Sequence, residues 1–253
     1  GKFENLFVED TSVRLIRTPH WEIGKYTPAE VERMKATYDG AVRYTDSQLG
    51  RFFRELKRLG IYDQSTIIVT ADHGEAFGEH GYFLHSHHLY DEIVRVPLIM
   101  KLPGATGVGS HVGALHDTSD LSPTILGLLG SKARVKTSGV DIVAQLRNPE
   151  LRDPERRVVA AFNHFGIRRW AVRTYQRKVI FHERADEREF RATVGKPSLL
   201  PSVSFEKESL LFFDVQRDPF EQKDLFAERS GPKSGWLQLL DAIREGGRAS
   251  IKE

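Results

Sequence analysis

Residues 70–92, which read TADHGEAFGEHGYFLHSHHLYDE, decide the fold of this chain. They hold five of its ten histidines, with acidic side chains and glycines interleaved among them. Directly before them stand Ile67, Ile68 and Val69, three β-branched residues in a row. Such a run is typical of a strand buried on both faces within a parallel sheet. The sequence therefore predicts an α/β fold in which a buried strand ends where the histidine-rich stretch begins.

Asp72 and His73 stand just past the end of the predicted strand, where open α/β sheets bind their ligands. A carboxylate and a neutral imidazole both bind divalent cations, and neighbouring residues at a strand exit can turn toward one ion. Gly74 allows the sharp turn that follows. A turn that Asp72 merely caps is the simpler alternative, but the density of histidines after the strand favours a metal site.

Four more histidines follow in a glycine-containing loop, at positions 80, 85, 87 and 88. Imidazole can protonate a leaving group, and it can stabilise an anion when it is charged. The loop is therefore a candidate for proton transfer or for anion binding beside the predicted metal site.

Composition excludes several classes of protein. The 253 residues carry a formal net charge of +2, which is too small to favour nucleic acid or a membrane surface as a partner. There is no cysteine, and no window approaches about 18 consecutive apolar residues, so neither a disulfide nor a membrane span is predicted. The first residues form neither an initiator methionine nor a signal peptide. We expect the chain to begin partway through a longer protein.

A long helix precedes the histidine-rich stretch. Thr27, Pro28 and Glu30 form a capping signal, apolar residues then recur at helical spacing, and Gly60 is the expected cap at the far end. Helix, short turn and buried strand together predict half of a right-handed α/β crossover. Beyond the histidines, Pro97 within an apolar run indicates an edge strand or a bulge.

The sequence changes character near residue 150. Residues 1–150 are assigned to one α/β domain, and residues 151–253 to a smaller subdomain with an antiparallel sheet. Within the subdomain, residues 185–207 are expected to form a long loop and residues 236–243 a final helix. The predicted strands are residues 157–161, 170–173, 178–181 and 211–215.

The order of these motifs resembles the second metal-binding segment of the sulfatases, in the alkaline phosphatase superfamily. The resemblance covers roughly residues 27–230 and implies an alkaline-phosphatase-like α/β/α sandwich, present in part, with a small C-terminal antiparallel α+β subdomain. Residues 1–150 would then be the later half of the family's catalytic domain. The motifs are Asp72-His73-Gly74-Glu75, Gly78-Glu79-His80-Gly81, Leu89-Tyr90-Asp91-Glu92, Arg95-Val96-Pro97-Leu98-Ile99 and Asp218-Pro219-Phe220-Glu221.

The resemblance implies a metal-dependent hydrolase of sulfate esters, acting on a small molecule or a glycan. Asp72 and His73 would hold the cation. Ca²⁺ is the expected ion, with Mn²⁺ or Zn²⁺ as alternatives because imidazole favours transition metals. The family's lysine in the following loop is absent, and His85 or His87 would replace it as the catalytic group. Family analogy implies a secreted or periplasmic protein, and the oligomeric state stays open.

Two features keep other functions open. Sulfatases need a nucleophile in a Cys/Ser-x-Pro-x-Arg sequence, and this chain contains none. Two protein ligands also leave most of the roughly six positions of a Ca²⁺ ion unfilled. We therefore expect the C-terminal piece of a longer enzyme. The alternatives are a phosphoester or phosphonate hydrolase or a phosphoethanolamine transferase of the same superfamily, which His73 would suit, and a non-catalytic remnant.

Several other polar residues have ordinary structural explanations. His20 is a candidate for the family's substrate-binding histidine, although its segment looks more like the link that follows that residue. Arg168, Arg169 and His164 are within reach of an anionic substrate in principle, but a solvated face is the simpler interpretation. Asp46 is expected to be an exposed carboxylate on the long helix.

Overall fold

The computed structural model describes residues 6–8, 26–85, 88–105, 109–131, 138–164, 166–193 and 207–226. The chain divides into two compact units. The first unit comprises Gly1–His85 and Val96–Val108, and the second comprises Ser86–Arg95 and Gly109–Glu253. The domain boundary near residue 150, drawn from the change in sequence character, stays a prediction. In the described ranges, none of the helices has the length and the apolar surface that crossing a membrane requires.

The first unit is built on a long helix, α1 (Pro28–Arg58), whose two ends lie where the sequence predicts them. At its start, the Glu30 amide donates to Thr27 Oγ1 at 3.3 Å, and the Thr27 amide donates to the Glu30 carboxylate at 2.7 Å. This is the predicted capping box. After the helix, Gly60 has a φ of 70°, the left-handed conformation in which glycine ends helices with little strain. Local chemistry alone therefore sets both ends.

Strand β1 (Ile67–Thr70) pairs antiparallel with β4 (Leu98–Lys101). The expectation of a strand buried on both faces in a parallel sheet is wrong. Within the described residues β4 is its only partner, and residues 67–69 are half-buried. A β-branched run predicts a strand, but the direction of its partner depends on how the chain returns. Pro97 lies just before β4, so it removes no hydrogen bond from the sheet.

The turn that leads from α1 into β1 is closed by Lys101, at the end of β4. Its Nζ donates to the backbone oxygens of Tyr62, Asp63 and Ser65 at 2.6, 2.9 and 3.0 Å. Three backbone oxygens thereby share one cation. This contact fixes the start of β1 and so the direction in which the strand runs toward Asp72.

A short hairpin follows β1 and carries the glycine-rich part of the histidine stretch. Its strands are β2 (Ala76–Phe77) and β3 (Phe83–Leu84), with Ala76 opposite Leu84. Gly78 has a φ of 98°, and a Cβ atom at this position would lie 2.8 Å from the Phe83 ring. Only glycine satisfies both demands, because other residues are strained at positive φ and would collide with the ring.

The second unit contains the short helices α2 (Asp91–Val94), α3 (Leu121–Leu128) and α4 (Val143–Arg147). Fully buried Asp120 directly precedes α3, and its carboxylate accepts the Val140 amide at 2.8 Å and pairs with Arg156 at 2.6 Å. A buried carboxylate is tolerated only when its acceptor positions are used in this way. After α3, Gly130 has a φ of 64°, the left-handed conformation in which glycine ends helices with little strain.

The core of the second unit is a four-stranded antiparallel sheet in the order β5-β6-β7-β8. The strands are β5 (Val158–His164), β6 (Ile167–Arg173), β7 (Arg177–His182) and β8 (Ser209–Asp214). Apolar side chains from β6, β7 and β8 form the packed centre: Trp170, Val172, Val179, Phe181 and Phe212. The predicted antiparallel sheet is confirmed, with ends that differ by a few residues.

One predicted loop contains a helix. Residues 187–193 form α5 (Glu187–Thr193), inside the range expected to be irregular. The Asp186 carboxylate accepts the amides of Arg188 and Glu189 at 2.9 and 3.0 Å. Asp186 followed by Glu189 three residues later is itself a capping pattern, so a sequence signal for this helix exists. The final helix expected at residues 236–243 lies outside the described residues.

Candidate metal and catalytic site

Asp72 and His73 follow β1 and present two donor atoms close together. The Asp72 side chain is 91% exposed, and its Oδ2 lies 3.9 Å from Nε2 of His73. Two metal–ligand bonds of about 2.1 Å each span at most about 4.2 Å, so one small cation can bind both atoms. The other carboxylate oxygen, Oδ1, accepts the His73 amide at 3.1 Å. Asp72 therefore shapes the turn and also offers an oxygen to an ion.

The backbone fixes the orientation of the His73 ring. Nδ1 lies 2.7 Å from the carbonyl oxygen of Gly74. A carbonyl only accepts, so Nδ1 carries the proton and the lone pair is on Nε2, the atom nearer to Asp72. Metal-binding histidines commonly have one nitrogen held by a backbone carbonyl in this way. The local geometry thus fits a metal ligand.

The hairpin brings His85 to the same place. Because Ala76 faces Leu84, the next residues outward, Glu75 and His85, come together: Nδ1 of His85 lies 3.2 Å from the nearer Glu75 oxygen. The His85 ring also stacks on the His73 ring, with centroids 4.2 Å apart and planes 27° apart. Residues that are ten positions apart in sequence therefore form one group with the candidate metal ligands.

Glu75 has a more specific position than the sequence predicts. Support for the loop is all that could be expected of it, whereas the structure places its carboxylate, 18% exposed, against the ring of His85. The signal that could have revealed this is the position of Glu75 and His85 on opposite sides of the glycine-bounded turn, one residue outward from the Ala76–Leu84 pair. The Glu79 carboxylate accepts the Phe77 amide at 2.6 Å, so Glu79 supports the turn of the hairpin.

The remaining histidines of the stretch fall into three classes. His87, the second candidate catalytic residue, lies outside the described residues. His88 is 2% exposed, and its ring lies 5.3 Å from that of Tyr90, so it belongs to the interior of the second unit. His80 is half-buried in the turn of the hairpin. Of the candidates, the structure brings together Asp72, His73 and His85.

Of the two arginines considered for anion binding, Arg169 is buried, whereas the Arg168 side chain is 34% exposed, as a solvated face predicts. Arg169 is 2% exposed, and the expectation for it is wrong because β6 is covered on both faces. Arg168 pairs with Glu189 at 3.6 Å. Opposite Arg169 on β7 stands His182, and burial together with the Arg169 charge lowers the pKa of His182 to about 3. The side chain of His164 lies outside the described residues.

Asp72 and His73 are suitable ligands for a cation, but two ligands do not complete the coordination shell of a metal ion. Within the part of the chain that the structure describes, no three histidine or carboxylate side chains converge as a metal site. Asp46, the other carboxylate considered, is 69% exposed and pairs with Arg43 on the helix surface, as expected. Asp72 and His73 are thus two ligands that fit one ion.

Comparison with known proteins identifies relatives of part of this chain. Residues 7–131 match the family described as Sulfatase. An N-acetylglucosamine-6-O-sulfatase of Bacteroides thetaiotaomicron is 27% identical over 218 residues, which are 82% of this chain and 35% of that protein.

Two solved structures confirm the alkaline-phosphatase-like α/β fold. One, a protein in complex with its substrate D-glucosamine-2-N,6-O-disulfate, superposes with a TM-score of 0.69 at 23% identity, over 87% of this chain and 43% of that one. The other, a phosphonate monoester hydrolase of Agrobacterium radiobacter, gives a TM-score of 0.62 at 23% identity, over 90% and 42%. The chain spans less than half the length of these proteins.

Proposed function

Because residues 7–131 belong to the sulfatase family, we propose that the protein hydrolyses sulfate esters and that this chain supplies one side of the active site. The observation that carries the proposal is the contact of His73 with both Asp72 and His85, at 3.9 Å between donor atoms and 4.2 Å between rings. A metal-ligand pair and an imidazole ring in contact with it are two of the elements that metal-assisted ester hydrolysis uses.

Asp72 and His73 are proposed to hold a divalent cation through Oδ2 and Nε2. When bound, such an ion neutralises charge on the oxygens of the ester group and orients the attacking group. Ca²⁺ is the proposed ion, and Mn²⁺ or Zn²⁺ is the alternative that the imidazole ligand favours.

His85 is proposed as the catalytic side chain on the leaving-group side. Its Nδ1 faces Glu75, so its Nε2 is the nitrogen that can reach a substrate oxygen. Glu75 orients the ring. His85 then either donates a proton to the departing alkoxide or, as the charged imidazolium, stabilises its negative charge. His87 is retained as a second candidate for this role from the sequence alone.

The proposed substrate is a sulfated sugar. Both the sulfatase relative and the structure solved with a glucosamine disulfate are described as acting on such compounds. Sulfated glycans lie outside the cytoplasm in many settings, so a secreted or periplasmic location is part of the same proposal.

A phosphonate or phosphate monoester is the second candidate substrate. The structural likeness to a phosphonate monoester hydrolase supports it, as does a histidine at position 73. Sulfate and phosphate monoesters have nearly the same shape and differ by one negative charge. A site that binds one of them can therefore accept the other.

The experiment uses the complete gene product that contains this chain. Turnover of an aryl sulfate is compared with turnover of the matching aryl phosphate and phosphonate, with Ca²⁺, Mn²⁺ or Zn²⁺ added in turn. Asp72→Ala should abolish turnover and also abolish the rise in melting temperature that the metal produces. Asp46→Ala is the matched control, since that carboxylate is exposed but far from any site residue in sequence. Metal binding that survives Asp72→Ala would refute the ligand assignment.

A further inference from the structure

Four charged side chains from three distant stretches meet inside the second unit, around Asp91. Asp91 Oδ2 lies 2.6 Å from Nη1 of Arg173, and Oδ1 lies 2.8 Å from Nζ of Lys178. The same Nζ lies 2.7 Å from Oε1 of Glu221. The other Glu221 oxygen, Oε2, accepts the backbone amide of Asp91 at 2.9 Å. The network therefore grips both the side chain and the backbone of Asp91.

These charged side chains are buried, and burying a charge costs free energy unless a charge of opposite sign lies beside it. The side chains of Lys178 and Glu221 are 1% and 0% exposed, and that of Asp91 is 11% exposed. Two cations balance two anions, which is the condition under which buried charges are tolerated. Burial raises the pKa of Glu221, reinforced by the charge of Asp91 and opposed by that of Lys178. Burial also opposes ionisation of Asp91, but Lys178, Arg173 and Arg95 outweigh it and lower the pKa.

The sheet register explains how the cations meet. Arg173 on β6 and Lys178 on β7 stand directly opposite each other, so both side chains leave the same face of the sheet. Glu221 lies in the turn after β8 with a φ of 55°, an unusual conformation for a glutamate. The surrounding contacts must outweigh its backbone strain, which indicates that the position of this carboxylate is strongly determined.

The residues before Asp91 are held by the same sheet. His88, Leu89 and Tyr90 are all buried, and the Tyr90 ring packs edge-on against Phe213 of β8 with centroids 6.0 Å apart. Four consecutive residues, 88–91, are thus fixed by the second unit. In the sequence they lie at the C-terminal end of the histidine-rich stretch, residues 70–92.

We propose that Lys178 and Glu221 are positioning residues for the hydrolase. They do not touch the substrate; they fix residues 88–91, which belong to the same histidine-rich stretch of sequence as the site residues. This inference rests on the proposed function for its catalytic consequence, but its structural part can be measured without any turnover.

The test compares Lys178→Met, Glu221→Gln and the double variant, in the complete gene product. Glu187→Gln is the control, because Glu187 pairs with Arg191 at 2.6 Å but is 51% exposed. Amide hydrogen exchange at Asp91 and Ile93 should accelerate at least about tenfold in each single variant. The double variant loses one charge of each sign, so the charge balance of the network is kept. Its exchange rate at Asp91 and Ile93 should be at least about tenfold slower than in Lys178→Met, because the effects of substitutions within one network are not additive.

Turnover provides the second readout. Each single variant should lower kcat for an aryl sulfate at least about tenfold, with KM within about threefold of the parent, because positioning affects the reacting groups more than binding. Exchange at Asp91 and Ile93 that matches the parent in both single variants would overturn the inference. If the parent protein hydrolyses no ester, the proposed function fails, and the exchange data still decide whether the two residues fix this segment.

Discussion

The region around His73 and the region around Asp91 use the same kinds of side chain in opposite ways. Near His73 the acidic and imidazole groups are accessible, with Asp72 91% and His73 40% exposed. Around Asp91 the charged groups are enclosed, with Lys178 1% exposed. Accessible side chains whose orientation is fixed by the backbone can bind a ligand. Buried charges that pair with one another have no free position for a ligand, and they stabilise the fold instead.

The largest difference between the two regions should appear when one acid is removed from each. Asp91→Ala leaves Lys178 and Arg173 without the anion between them. Removing one partner of a buried ion pair typically costs about 3–5 kcal/mol. Urea unfolding should therefore show a loss of this order in the free energy of unfolding. A loss below about 1 kcal/mol would mean that the network behaves like an exposed ion pair.

A substitution in the hairpin should have the next largest effect. Gly78→Ala combines positive-φ strain with a Cβ placed 2.8 Å from the Phe83 ring, and together these should cost about 2–4 kcal/mol. Gly81→Ala is the matched control, because Gly81 has a φ of 76° but nothing within 4 Å of the added atom. Thermal unfolding of both variants separates the strain from the collision. Equal losses would show that the Phe83 ring moves aside freely.

The pH dependence of stability should come from the sheet of the second unit. His182 has a folded-state pKa of about 3, below its unfolded value, so it contributes stability above about pH 6.5 that is lost as the pH falls toward 3. Between pH 7 and pH 5 the loss should be about 2 kcal/mol. His182→Gln should flatten this part of the profile, measured by urea unfolding at each pH. An unchanged slope would assign the proton uptake to another group.

The smallest effect should come from Asp72→Ala in the absence of metal. Its side chain is 91% exposed, and such surface changes usually alter the free energy of unfolding by less than about 0.5 kcal/mol. The same variant should lose the stabilisation that added metal gives the parent, measured as a shift in melting temperature. A large loss without metal would place Asp72 among the structural carboxylates, beside Asp91.

The residues that could be predicted from the sequence are those governed by their neighbours in the chain. The capping box of Thr27 and Glu30, the end of α1 at Gly60 and the alternating strands of the second unit all follow from local patterns. The Asp72-His73 pair also lies within one short stretch. These features are encoded within a few residues of where they act.

The features that could not be predicted depend on contacts between distant residues. The partner of β1 is β4, about thirty positions later, and no local pattern fixes its direction. Lys178 reaches Asp91 across 87 positions, and Arg169 is buried because of what covers β6. Glu75 and His85 are an intermediate case, because their pairing follows from the hairpin once its turn is recognised.

The hairpin also makes the site sensitive to whether the turn length is odd or even. Side chains alternate between the two faces of a β-ribbon, so one residue inserted between Gly78 and Gly81 would turn His85 away from Glu75. Two inserted residues would restore the facing and merely lengthen the loop. The length of the turn is therefore more constrained than its sequence. The sequence can vary within the limits set at Gly78, but a change in length by a single residue would separate Glu75 from His85.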